Sequence, residues 1–187
     1  HLIAKSDPNW KNPYWQKFLI GDHLSKQKLG IRSVCCLDTD ILISPLAPNI
    51  FDNRDESKVG LVSLRKNLAY PYEGSLRRMA FLRNRYFDQS YPLDSSLFVS
   101  IDGLYEMIGL DSQDDEACSG VFVFNCELHG LNMSNFYNSF DKSVMDRDGG
   151  GEQIFLNHFV QSKGLVEWLE YRFQAMWTYE MANKYPF

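Results

Sequence analysis

The chain has 187 residues, of which 44% are hydrophobic and 23% charged, which suggests one domain with enough apolar content for a real core. Its net charge of −5 argues against nucleic-acid binding, which needs a basic face. It leaves room for a nucleotide whose phosphates a bound cation neutralises locally.

Along the chain, Pro13 to Leu29 reads as a helix. Trp15, Phe18, Leu19, Asp22 and His23 recur at helical spacing, and Gly30 stops it. Ile31 to Leu37 is a short, near-continuous apolar run, the pattern of a strand buried on both faces of a parallel sheet. Polar Asp38-Thr39-Asp40 follows, then Ile41-Leu42-Ile43, Pro45 and Pro48. Val59 to Leu64 is a second apolar strand candidate. Gly74 to Tyr86 reads as a basic helix carrying Arg77, Arg78, Arg83 and Arg85. From Asp88 to Glu116, Pro92, Gly103, Gly109 and the acidic residues Asp111, Asp114, Asp115 and Glu116 fit a loop, a short helix or a lid.

Gly120 to Asn125 is a third strand. Glu127 to Val144 looks helical, weakened by Gly130 and three asparagines. Gly149-Gly150-Gly151 is a turn into a helix that starts at Glu152 and carries Ile154, Phe155, Phe159 and Val160 on one face. Leu165 to Tyr171 is a last strand. Alternating helices and buried strands indicate an α/β layer fold. Cys35, Cys36, Cys118 and Cys126 form no CxxC pair, which argues against structural zinc. All four flank apolar runs and read as small, reduced, buried hydrophobes. No apolar run is long enough to span a membrane, and no signal peptide is visible.

The feature richest in chemistry is Leu37-Asp38-Thr39-Asp40 at the end of a buried strand. In extended chain, Asp38 and Asp40 would share one face. Two such carboxylates repel each other and need compensation in apolar surroundings. Mg²⁺ or Mn²⁺ supplies it, sharing its shell between one or two carboxylates and substrate phosphates. Strand ends are also where open α/β sheets bind ligands.

The segment Val34-Cys35-Cys36-Leu37-Asp38-Thr39-Asp40-Ile41-Leu42-Ile43 resembles the D-x-D strand of GT-A-fold glycosyltransferases, the glycogenin and bacterial lipopolysaccharide galactosyltransferase group. The continuation Ser44-Pro45-Leu46 to Phe51-Asp52 is similar to that group too. Three more segments fall in the family's order. Trp15-Gln16-Lys17-Phe18-Leu19 looks like the helix ahead of the metal strand, with Lys17 approaching the donor. Ser119-Gly120-Val121-Phe122-Val123-Phe124-Asn125 looks like the Ser-Gly-apolar-Asn strand beside the donor sugar. Gly151-Glu152-Gln153-Ile154-Phe155-Leu156-Asn157 looks like the acidic-Gln helix start near the acceptor.

The resemblance implies a single GT-A-like, Rossmann-like domain over residues 1–187, with a mostly parallel central sheet and a variable acceptor-side region at 66–117. It implies a hexosyl transfer from a nucleotide-diphosphate sugar, most naturally a UDP-sugar, to a saccharide or lipid-linked saccharide, supported by Mn²⁺ or Mg²⁺. Asp38 and Asp40 would hold the metal. Lys17, Thr39, Ser119, Gly120 and Asn125 would join them in binding the donor, and Glu152 and Gln153 would face the reaction. The family has further segments at both ends, with Leu2-Ile3-Ala4 the one counterpart at the start, so the chain is expected to be short. None of His1, His23, His129 and His158 falls in a motif for a third metal ligand. The expected compartment is the cytoplasm, free or membrane-associated, or a Golgi lumen for a eukaryotic chain separated from its anchor.

Each site residue has a plainer role. Lys17 reads also as an exposed helix lysine, Ser119-Gly120 as a tight turn, Asn125 as a helix cap and Glu152 as an acid favoured by a helix N-terminus. The arginines read as a solvated face or as a phosphate clamp. Trp10, Trp15 and Trp168 suit a core or interface, and Trp177 is the best sugar platform. Two rival functions stand beside glycosyl transfer: a metal-dependent phosphotransferase or phosphohydrolase, and a degenerate GT-A-like domain that binds without catalysis.

Overall fold

The computed structural model describes residues 11–86, 98–146 and 151–184. The expected Leu2-Ile3-Ala4 strand, His1, Trp10, Pro92 and the first two glycines of the Gly149–Gly151 turn lie outside them.

Helix α1 (Pro13–Gln16), opened by a proline in its first turn, runs through a 3-10 turn at Lys17–Leu19 into α2 (Ile20–Lys26). Strand β1 (Ser33–Leu37), β2 (Val59–Ser63) and helix α3 (Tyr72–Tyr86) follow. Helix α4 (Ile101–Met107) is capped by the Ser100 hydroxyl, which accepts from the Gly103 N–H. Then come β3 (Ala117–Asn125), α5 (Cys126–Ser139), α6 (Gln153–Ser162), β4 (Val166–Leu169) and α7 (Trp177–Lys184).

The α/β expectation holds: four strands in the order β1-β3-β2-β4 are flanked by helices. The mostly parallel sheet does not follow. β3 runs against both its neighbours, β1 and β2, and only β2 and β4 pair in parallel. A continuous apolar run reports burial on both faces but carries no direction. Nor is β1 buried on both faces: among the described residues it lies at the sheet edge, with Ser33 to Cys36 half-buried and Leu37 exposed, whereas β2 is buried throughout.

Alternation along β3 divides the interior. Phe122 and Phe124 join a large cluster with Trp15, Phe18, Phe136 and Phe155. Val123 faces a smaller one with Val62, Leu169 and Tyr171. Cys36 and Cys35 of β1 follow the same division, as expected for adjacent strand residues. Trp15 is fully buried and stacks on Phe136 at 6.0 Å. Leu104 and Tyr105 of α4 enter the same large cluster, so this part of the 66–117 region is built into the common core.

Helices α2 and α5 cross at two glycines. A β-carbon on Gly130 would lie 2.6 Å from the Gly21 carbonyl carbon, and one on Gly21 would lie 2.9 Å from Gly130 Cα. Gly130 therefore permits backbone-on-backbone contact instead of merely weakening its helix. No described helix is long and apolar enough to cross a membrane.

Candidate functional site

The site gathers where β1 ends beside the start of β3. The Asp38 N–H donates to the Gly120 carbonyl at 2.9 Å, carrying the β1–β3 ladder one residue past the strand. The chain then turns: the Ile41 N–H donates to the Asp38 carbonyl at 3.2 Å. Asp38-Thr39-Asp40 is thus a tight turn and not extended chain, so period-2 alternation does not put Asp38 and Asp40 on one face. Asp38 is half-buried, while Thr39 and Asp40 are exposed. The apolar run after the turn does not enter the core either: Leu42 is 97% exposed and Leu46 90%.

Lys17 is the hub, not the exposed helix lysine that was its plainer reading. The 3-10 turn aims it inward across Phe122, with its ammonium 5.6 Å from that ring's centre. Its Nζ lies 2.7 Å from Glu152 Oε1 and 3.3 Å from Asp38 Oδ1, and donates to the Ser119 carbonyl at 2.9 Å. The Ser119 hydroxyl donates to Glu152 Oε1 at 2.6 Å. Three distant segments, around residues 17, 38 and 152, therefore meet on Ser119-Gly120. The compensating charge expected from a divalent cation is supplied to Asp38, in part, by Lys17.

Glu152 and Gln153 face inward. Glu152 is only 4% exposed and is held by Lys17 and Ser119. It precedes α6 without capping it by side chain. Gln153 Oε1 accepts from the Ser119 N–H at 3.2 Å, and its Nε2 donates to Glu116 Oε1 at 2.9 Å. The Gln153 amide is thus anchored to Ser119 on one side and Glu116 on the other. Asn157 fastens α6 to β3 by accepting from the Ala117 N–H at 2.6 Å and donating to its carbonyl at 2.8 Å.

Asn125 is elsewhere. It ends β3 opposite Ser33, at the far end from Asp38. Its carboxamide oxygen accepts from the N–H groups of Glu127 and Leu128, which makes it the cap of α5. Its assignment to the donor pocket is corrected accordingly. Trp177 is 73% exposed at the start of α7.

Two features escaped the sequence reading. Gln153 links the site to a buried ion pair: Arg65 Nε donates to Glu116 Oε2 at 2.8 Å and Arg65 NH2 lies 2.6 Å from the same oxygen. Burial raises the Glu116 pKa, against the lowering effect of Arg65. Asp115, also raised by burial, accepts from the Ser63 hydroxyl at 2.6 Å. Within the acidic cluster, Asp111 and Asp114 are exposed and only Asp115 and Glu116 turn inward. The second missed feature is Gln174, which lies over Gly120.

No protein-family model, no curated protein and no solved structure matches this chain.

As a metal centre, the site offers a partial shell. Asp38 and Asp40 share one turn, and Asp38 keeps Oδ2 clear of Lys17. Among the described residues no three His, Cys, Asp or Glu side chains converge. Mg²⁺ and Mn²⁺ are commonly held by one or two carboxylates, with water and phosphate in the remaining positions.

Proposed function

We propose that this chain binds a nucleotide-diphosphate sugar and transfers its sugar to a hydroxyl of a saccharide or lipid-linked saccharide. The observation that carries the reading is the meeting of Lys17, Asp38, Ser119-Gly120 and Glu152, from segments far apart in the chain, at one end of β1 and β3. Their order and chemistry match the resemblance drawn from the residues alone. A cation at Asp38 and Asp40 would neutralise the donor diphosphate and the charge left on it as the glycosidic bond breaks.

The chain's own residues then have defined tasks. Lys17 steers Asp38 and balances the local charge. Glu152 acts as a positioning residue, holding Lys17 and Ser119 from behind. Gly120, with no side chain, leaves room for the Gln174 amide to lie against β3 beside Asp38. The 66–117 region and Trp177 would serve the acceptor side.

One observation favours the second reading, binding without transfer: Glu152, the best acid for the reacting face, is buried, with its Oε1 held by both Lys17 and Ser119. Calorimetry with UDP-, GDP- and ADP-hexoses in Mn²⁺ and in EDTA tests donor binding. Mn²⁺-dependent binding that Asp38→Asn weakens by roughly tenfold or more is expected, since one charged ligand is lost. Equal binding in EDTA and Mn²⁺ would overturn the metal-supported donor site. Bound donor with no transfer to any saccharide in a product assay would leave the binding-only reading. Phosphate release from phosphomonoesters without sugar-nucleotide binding would instead establish the phosphohydrolase.

A further inference from the structure

One side of the sheet ends in a strand with an open edge. β1 pairs with β3 alone. The Asp38 N–H donates to the Gly120 carbonyl and the Cys126 N–H to the Arg32 carbonyl. Val34 and Cys36 stand between them in the same register, opposite Phe124 and Phe122. In an antiparallel pair, alternate residues turn their N–H and C=O towards the partner strand. Those of Ser33, Cys35 and Leu37 therefore point away from the sheet, and among the described residues no backbone hydrogen bond reaches them. Edge strands are ordinarily blunted by a lysine, a proline, an inward charge or a bulge. Ser33-Val34-Cys35-Cys36-Leu37 carries no charge and no proline, and its register against β3 is unbroken. The other edge strand, β4, does carry a charge, Glu167, which pairs with Arg54. Exposed apolar residues, Leu29, Ile31 and Leu37, flank the open edge.

We propose that β1 is a dimerisation edge, through which two copies of this chain pair antiparallel and two-fold about Cys35 to make one continuous sheet. The strand's own sequence selects a second copy as the partner. Pairing about Cys35 sets Cys35 against Cys35, Ser33 against Leu37 and Arg32 against Asp38 of the other copy. The outward groups then meet. Ser33 and Leu37 exchange both backbone hydrogen bonds across the interface, and so do the two Cys35 residues. Arg32 and Asp38 fall at a position without backbone bonds, where side chains approach most closely. The two-fold axis repeats that contact, so a guanidinium faces a carboxylate at both ends of the ladder. The Arg32 side chain is 69% exposed and pairs with Glu56 at the surface, so exchanging that partner costs little. Slipping the register by two residues would separate both charge pairs. The second copy thereby brings a cation, its Arg32, beside Asp38 of the candidate site.

This inference does not depend on the sugar-nucleotide reading. Sedimentation equilibrium of wild type, Ser33→Pro, Cys35→Pro and Arg32→Glu tests it, with circular dichroism confirming that each variant is folded. Each proline removes an outward N–H that β3 does not use, and Ser33 begins its strand, where a proline is best tolerated. Wild type should form a dimer whose population rises with concentration. Each folded proline variant should dimerise roughly tenfold more weakly or worse, because one substitution deletes a hydrogen bond at two symmetric places. Arg32→Glu should weaken the dimer by roughly fivefold or more, and added salt should narrow that gap. A wild type that stays monomeric up to about 1 mM would overturn the proposal. A dimer unchanged in folded Ser33→Pro would overturn it too, since the interface would lie elsewhere. Weakening by proline but not by Arg32→Glu would overturn the two-fold register about Cys35, as would association that continues beyond the dimer. Should neither proline variant fold, Arg32→Glu decides: an unchanged dimer overturns the proposal.

Discussion

At the residue scale the site turns on one buried cation shared by two carboxylates. The Lys17 side chain is 12% exposed and that of Glu152 5%, so removing Lys17 leaves the Glu152 carboxylate uncompensated in a poorly hydrated place. Lys17→Met should therefore lower unfolding stability by about 3–5 kcal/mol, the usual scale for breaking a buried pair from one side. Adding Glu152→Gln should restore part of the loss, because the orphaned charge is gone; urea unfolding of the double-mutant cycle measures the coupling. Additive losses would mean that Lys17 and Glu152 act independently. The sequence showed Lys17, Asp38, Ser119, Gly120 and Glu152 as candidates, because each stands in a patterned segment. It could not show which atoms they would spend on each other, nor that the Gln153 amide would bridge Ser119 and Glu116. Gln174 was invisible for a different reason: its role comes from lying across a strand more than fifty positions earlier, which no local pattern encodes.

At the scale of elements, the strands were legible as apolar runs and the helices as periodic ones, while direction and exposure were not. The run at Ile41-Leu42-Ile43 reads as apolar continuation of a strand but emerges as exposed turn and loop, because the turn at Asp38 leads the chain out of the sheet. Glycine is equally ambiguous. In a helix, Ala exceeds Gly by roughly 1 kcal/mol, and Gly74 in α3, whose β-carbon would meet nothing within 4 Å, should follow that rule. Gly74→Ala is expected to raise the melting temperature. Gly130→Ala should lower it, with a stability loss of roughly 1–3 kcal/mol from overpacking, since the new methyl would meet the Gly21 backbone at 2.6 Å. Thermal melts of the two variants should shift in opposite directions. A shift of the same sign would show that the α2–α5 crossing relaxes freely.

For the whole molecule, the α/β class was legible because composition and alternation report layers, whereas the reversed β3 was not. The aromatic wealth of the chain sets its response to base. Burial raises the pKa of Cys36 and Tyr171 to about 12 and pushes Tyr70, Tyr105 and Tyr179 up as well. Each group has a folded pKa above its unfolded value, so its contribution is complete below the ordinary value, 9.0 for the thiol and 10.0 for the phenols. It is lost as pH rises towards the folded value. Stability should hold up to about pH 9 and then fall steeply. Of the ten tyrosines, the buried ones should ionise only as the fold opens, giving a two-phase phenolate titration at alkaline pH. A single reversible phase near the ordinary phenol range would contradict this burial.

The glycine crossing also bears on how a map of mutational tolerance for this protein would read. Gly21 lies four positions after Lys17, and α2 seats it against Gly130 of α5. A library selected for activity would be nearly empty at positions 21 and 130, as empty as at 17 and 38. Such a map would mark a tight packing contact and the proposed binding residues with the same blank columns. Only a parallel selection for folded protein would tell them apart, by restoring the column at Asp38 and leaving those at Gly21 and Gly130 vacant.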